Sequence, residues 1–204
     1  MEDFSDVAEA RKFAKAHKKY AGLMYRSTLK DIRELGVSGS CLEMGAGTGL
    51  LATLLARENP DISITAVDIS AGMAAVAEET IAENSMENRI RFLVGDAADE
   101  KMMEELGKFD LVYSAYSLHH MEEPEKAIRN LWSAVADRGF LYIFDFKRIG
   151  WICSLPINGG EIKSMRRALT RDEIRAVFKD TGITDYKIKT VFPYIFQTIT
   201  ARKG

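Results

Sequence analysis

Glu43-Met44-Gly45-Ala46-Gly47-Thr48-Gly49 is the stretch on which the reading of this chain turns. It places an acid near the end of strand-like Cys41-Leu42-Glu43-Met44, then glycines at alternate positions, then a helix pattern from Leu50 to Arg57. Only glycine lets a main chain turn this sharply and approach a ligand with no side chain intervening. The dinucleotide fingerprint GxGxxG needs glycine at position 50, where Leu50 stands, so a nicotinamide or flavin site is the weaker match. A phosphate-bearing cofactor also asks for a basic residue near the turn, and none lies between Cys41 and Ala56.

Outward from the turn the pattern repeats. Asn59-Pro60 stops the first helix, and a second strand, Ile62 to Val67, leads to Asp68, 19 residues after Gly49, well placed for a carboxylate to bridge the two hydroxyls of a ribose. Ser70 can cap an alanine- and glutamate-rich helix running to about Ala82. Ile90 to Val94 forms a third strand ending in Gly95-Asp96-Ala97, which offers a second acceptor at the same edge. Phe109 to Tyr113 reads as a strand, Pro124 to Ala136 as a helix and Phe140 to Phe144 as a fifth strand. Strands alternating with helices imply a mainly parallel sheet covered on both faces.

Ahead of this core, Phe4 to Leu35 reads as one or two amphipathic helices, with Phe13, Tyr20, Leu23 and Ile32 opposite Arg11, Lys15, Lys18 and Lys19. Gly36 closes them and Val37-Ser38-Gly39-Ser40 is a short turn. Behind the core, Phe146 to Leu169 breaks the alternation over a span too long for an ordinary connection. Arg166-Arg167 there is read as flanking a helix start. Thr170-Arg171-Asp172-Glu173 is a capping box opening a helix to about Lys179, ended by Thr181-Gly182. Tyr186 to Phe192 and Tyr194 to Thr200 are separated only by Pro193, so these strands pair antiparallel.

Composition sets the outer bounds. The 204 residues suit one domain, and 47% apolar with 28% charged residues is ordinary globular usage that excludes disorder over the whole length. A net charge of −2 leaves no excess positive field for a phosphate backbone. No apolar run reaches the length of a membrane span, and Met-Glu-Asp-Phe-Ser-Asp lacks the features of a signal peptide, so the expected location is cytoplasmic. Cys41 and Cys153 stand alone, signalling neither a disulfide framework nor a zinc site, and no metal is expected.

These residues resemble the class I S-adenosylmethionine-dependent methyltransferases, in particular the small-molecule branch. Glu43 to Gly49 is similar to that family's first motif, Val67-Asp68-Ile69-Ser70 to its second-strand acid and Gly95-Asp96-Ala97 to its adenine-binding loop. Phe109-Asp110-Leu111-Val112 followed by Ser117-Leu118-His119-His120 is similar to its fourth-strand motif. The likeness covers residues 37 to 145 closely and the last 35 more loosely. It implies an α/β, doubly wound, seven-stranded sheet of the Rossmann-like methyltransferase fold with the last strand antiparallel. It also implies a single domain over 1–204: an N-terminal helical lid (1–36), a cofactor-binding core (37–145), a variable substrate-side segment (146–169) and a closing helix and strand pair (170–204).

The implied cofactor is S-adenosyl-L-methionine, leaving as S-adenosyl-L-homocysteine. Gly45, Ala46, Gly47 and Gly49 would line its methionine and ribose portion, Glu43 would hold the turn and face its amino group, and Asp68 would bind the ribose hydroxyls. Asp96 would accept from the adenine amino group, with Ile69 and Ala97 packing the base. Three carboxylates suit a ligand carrying a sulfonium and an ammonium. Ser114 and Tyr116, at the fourth strand's end, are candidates to touch the cofactor and the acceptor respectively, and Tyr20 and Trp151 are further acceptor candidates. His119, His120 and Asp145 are candidates to take a proton from a hydroxyl acceptor, against the alternatives of packed or capping imidazoles and a solvated loop acid.

The expected partner is a small-molecule methyl acceptor, with no nucleic acid and no membrane, and the chain is a monomer or homodimer. Other readings are a non-catalytic S-adenosylmethionine-binding regulatory module and a protein or RNA methyltransferase. Against the last stands Ser114-Ala115-Tyr116-Ser117, where an Asn-Pro-Pro-Tyr-like motif would be expected. The lid and variable segments would wall the acceptor pocket with Phe13, Tyr20, Met24 and Tyr25, and with Trp151, Cys153, Leu155 and Ile157.

Overall fold

A computed structural model describes residues 6–154, 156 and 159–204. Phe4, Leu155 and Ile157, to which the sequence reading gave roles, lie outside them. The N-terminal segment is three helices, not one or two: α1 (Val7–Lys18), α2 (Ala21–Met24) and α3 (Arg26–Leu35). Asp6 caps α1 by accepting from Ala8 N at 2.6 Å, and the chain turns at Lys19-Tyr20, where Tyr20 N bonds to His17 O. Gly36 ends α3 in a left-handed conformation, as its position suggested.

The alternating core follows the expected order. Strands β1 (Gly39–Met44), β2 (Ile62–Asp68) and β3 (Ile90–Val94) are joined by helices α4 (Leu50–Glu58) and α5 (Ala71–Glu83), and the Ser70 side chain caps α5. An unanticipated helix, α6 (Glu100–Leu106), is started by Asp99, which accepts from Met102 N. Then come β4 (Phe109–Ala115), a 3-10 turn (Leu118–His120), α7 (Pro124–Ser133) and β5 (Val135–Phe146). The helix predicted to Ala136 stops earlier because Val135 already pairs with Phe109 in the sheet.

The variable segment holds two short helices, α8 (Gly150–Cys153) and α9 (Gly160–Arg167). Arg166 and Arg167 lie in the last turn of α9 and do not precede a helix start; their charge there complements the partial negative charge of a helix C-terminus. The capping box opens α10 (Arg171–Thr181) with both reciprocal bonds formed. The closing strands are β6 (Tyr186–Val191) and β7 (Phe196–Arg202).

All seven strands form one sheet in the order β3-β2-β1-β4-β5-β7-β6. Only β7 is reversed, antiparallel to both β5 and β6. The strand order reverses between β1 and β4, so the crevice at a doubly wound sheet's switch point falls beyond Met44 and Ala115. The period-2 alternation of the strands divides the core. Leu42, Val112, Leu141 and Ile199 face α7 and α10, meeting Ile128, Leu131 and Phe178. Cys41, Ile64, Leu111 and Tyr142 face α3 and α4, meeting Ile32, Leu51 and Leu55.

Candidate functional site

The glycine turn is tied to β2 by backbone and by one carboxylate. Gly45 N and Ala46 N donate to Val67 O at 2.8 and 3.0 Å. Gly47 N donates to Asp68 Oδ2 at 2.8 Å, while Asp68 Oδ1 accepts from Ser70 N at 3.0 Å. Gly45 and Gly47 are both left-handed, with φ of 73° and 53°, but for different reasons. A Cβ on Gly45 would sit 1.7 Å from Ser117 Oγ, so this position keeps room for the turn after β4. A Cβ on Gly47 would meet nothing within 4 Å, so the open face of the loop lies at Gly47.

Three acids stand around this loop in three environments. Glu43 is 2% exposed and accepts from the Tyr113 hydroxyl at Oε2, 3.0 Å away. Burial pushes its carboxyl up to about 8, with the nearby Asp68 charge adding to the rise. Asp68 is half-buried, and its carboxyl is raised by burial against the opposing pull of backbone N–H groups at Ser70, Gly47 and Ile69. Asp96 is exposed, and its Oδ1 accepts from Ala98 N at 2.9 Å, a local turn. Beside them Ile69 is exposed, while Ala97 is buried and its carbonyl accepts from Asn130 Nδ2. Ser114 is sealed from solvent with its hydroxyl unpartnered.

The second group of candidates meets across the β4–β5 pair. Asp145 is 3% exposed and therefore not a solvated loop acid. It accepts from the backbone N of His119 at Oδ2 (2.8 Å), and its Oδ1 lies 2.5 Å from His119 Nδ1 and 2.6 Å from Phe146 N. His119 is buried, with its ring against the Phe146 edge. The His120 ring lies 4.0 Å from that of His119 and reaches the surface; burial of its inner side, then the neighbouring His119, lowers its imidazole to about 4. Arg167 donates to His120 O, tying α9 to this turn. In the sequence the three residues stand as separate candidates; nothing in it shows that His119, in the turn after β4, and Asp145, near the end of β5, form a pair.

Tyr116 has φ of 57°, uncommon for a bulky residue, and its hydroxyl donates to Met24 O at 3.3 Å. Its ring packs on Phe144 (4.8 Å), Phe196 (5.6 Å) and Tyr25 (6.0 Å), giving the crevice an aromatic wall to which α2 is attached. Burial, with the Asp145 charge, raises its phenol to about 12. Tyr20 and Trp151 are both exposed. Among the described residues no group of three or more His, Cys, Asp or Glu is placed to hold a metal ion, and no helix is long and apolar enough to cross a membrane.

Known proteins were compared with this architecture. A family model described as a methyltransferase domain matches residues 42–141. An uncharacterized protein of Synechococcus is 36% identical over 68% of this chain, which spans only 31% of that protein's length. The mitochondrial 2-methoxy-6-polyprenyl-1,4-benzoquinol methylase of Caenorhabditis elegans is 26% identical over 92% of this chain and 79% of its own. A crystal structure described as a putative S-adenosylmethionine-dependent methyltransferase from Methanococcus maripaludis superposes with a TM-score of 0.75 at 21% identity, over 100% of this chain and 95% of that one, a likeness of fold.

Proposed function

Because the chain belongs to the class I S-adenosylmethionine-dependent methyltransferases, we propose that it moves a methyl group from S-adenosylmethionine to a nucleophilic atom of a small molecule. The observation that carries this reading is the glycine turn held by Asp68: beyond its two chain neighbours, its open face at Gly47 has no protein atom within 4 Å of an added Cβ. The residues fit the cofactor's charge. Asp68 and Asp96 end β2 and the loop just beyond β3, and acids around a crevice favour a cationic ligand; Glu43, near the end of the adjacent β1, is buried and protonated below about pH 8 in the ligand-free protein. Asp68 and the backbone of residues 45–49 would hold the ribose and methionine portions, with Ile69 and Asp96 at the base. The bound cofactor supplies an electrophilic methyl group; the protein's own contribution is placement of the acceptor and exclusion of water.

The small-molecule acceptor is supported by the quinol named for the Caenorhabditis elegans relative. For a hydroxyl acceptor, His119 is the proton acceptor. With its proton on Nδ1, directed at Asp145 Oδ1 2.5 Å away, Nε2 would be the lone-pair nitrogen and the carboxylate would stabilise the imidazolium that forms. Burial, then the neighbouring His119, lowers the His120 imidazole to about 4, which makes it a poor base at neutral pH. The test is incubation of the protein with methyl-labelled S-adenosylmethionine and fractionated metabolites. His119→Ala is expected to lower transfer to a hydroxyl acceptor by about 100-fold or more while cofactor affinity stays unchanged. Cofactor binding without transfer to any fraction would leave a regulatory module as the reading.

A further inference from the structure

Contact edge-on with a bilayer needs no spanning helix. Among the described residues every exposed large apolar side chain lies at the carboxyl edge of the sheet. Ile69 and Val94 end or follow β2 and β3 beside the proposed cofactor site. Five others stand on three separate projections: Tyr20 and Leu23 at α1–α2, Trp151 on α8, and Phe192 and Tyr194 at the β6–β7 turn, each between 58% and 78% exposed. Their place on that edge follows from the topology. Met24 and Tyr25 touch Tyr116 just past β4, α8 follows the end of β5, and β6 runs parallel to β1–β5 so that its turn closes at the same side, where Lys147 N donates to Ile195 O.

Basic residues cluster in two segments at this edge, beside the exposed acids Asp96, Asp99, Glu100, Glu122 and Glu123 at the β3–α6 and β4–α7 connections. Residues 7–26 hold six basic residues and one acid, and residues 147–167 hold five and one. The remaining chain has 17 basic against 28 acidic residues, so a protein of net charge −2 concentrates its positive charge in the two segments that frame the crevice. Part of that charge is internally paired, Arg11 with Glu79 and Lys18 with Glu83. Lys15, Lys19, Arg26, Lys163 and Arg167 are exposed in the same two segments.

We propose that this edge docks on an anionic phospholipid bilayer, with the aromatic and leucine side chains seated at the headgroup level and the basic segments facing the lipid charge, so that an apolar acceptor enters from the membrane. Several short aromatic projections at one edge, flanked by Lys and Arg, match an interfacial surface. Leu23 argues against a single-stranded nucleic acid, whose bases stack on aromatic or guanidinium planes. The acceptor's route rests on the methyl-transfer reading; the docking does not, and its test reads no methyl transfer.

Trp132→Phe leaves Trp151 as the single tryptophan. Its emission is expected to shift to the blue, and the protein to sediment, with vesicles of phosphatidylcholine and phosphatidylglycerol, and much less with phosphatidylcholine alone or at high salt. The triple variant Leu23→Ser, Phe192→Ser, Tyr194→Ser is expected to lower partitioning by about tenfold or more, by loss of buried apolar area, with S-adenosylhomocysteine affinity by calorimetry as the check on folding. Equal partitioning into neutral and anionic vesicles, or none, overturns the proposal. So does tighter binding to a single-stranded RNA oligomer, or a dimer in lipid-free solution that the triple variant disperses.

Discussion

The glycine turn and the α1–α2 cover sit on the same edge but are held by different means. The turn is fixed by backbone hydrogen bonds to Val67 and Asp68 and lies on two large apolar cores that line both faces of the sheet. Helix α1 rests on a separate small cluster of Ala10, Met73 and Val76, and its polar links to α5, Arg11–Glu79 and Lys18–Glu83, are exposed ion pairs. Exposed pairs contribute little and weaken with salt. The turn is therefore preorganised, and α1 is attached lightly enough to open locally.

The largest effect is expected at the turn. Gly45→Val forces a branched side chain into a left-handed position already filled by Ser117, and unfolding in urea should show a loss of about 3 kcal/mol or more. Gly47→Val meets no such wall; the protein should fold, with about 1–2 kcal/mol of backbone strain, yet bind no S-adenosylmethionine in calorimetry. Equal losses at the two positions would remove the distinction between a packing glycine and a ligand-facing one.

Next comes Glu43. Its carboxyl is raised from the ordinary range to about 8 in the fold, so between those limits the native state holds a proton that the unfolded state has lost. Stability of the ligand-free protein should therefore fall as pH rises from about 5 to 8, by on the order of a few kcal/mol, and Glu43→Gln should flatten that dependence. Melting temperature against pH for the two proteins checks it. Asp68→Ala should weaken S-adenosylmethionine binding by about 1–3 kcal/mol, since the carboxylate both orders the turn and faces the crevice; an unchanged dissociation constant would remove it from the site. The smallest effect belongs to Arg11→Ala, which should leave the melting temperature in place while speeding early trypsin cleavage at Lys15, Lys18 and Lys19. S-adenosylhomocysteine should slow those cuts in the unaltered protein, and mass spectrometry of the first fragments would detect either change.

What the sequence made legible was local. The strand-like run Cys41-Leu42-Glu43-Met44, the turn glycines, Ser70 as a cap and the Thr170–Glu173 box each carry their signal within a few residues, and each is found in place. The break after Pro193 likewise announced the reversed pair, though the strands end short of it at Val191 and Phe196. What escaped depends on distance. His119 and Asp145 are joined only because β4 and β5 run in parallel register, and Val135 left the helix pattern because Phe109 was there to receive it. Helix α6 escaped for another reason: seven residues, two of them adjacent methionines, give too short a period to read.

The position of β7 has a consequence for how the chain assembles. Strand β6 meets the sheet only through β7, so the hairpin joins as a unit, and until it does the edge of β5 stands open. That edge is Phe140-Leu141-Tyr142-Ile143-Phe144-Asp145-Phe146, a run of the kind that pairs with another copy of itself during slow, non-local folding. Its one charge is Asp145. The carboxylate that orients His119 in the finished protein thus also acts as a gatekeeper on the nascent one, and replacing it with an apolar residue should be felt first as aggregation during refolding.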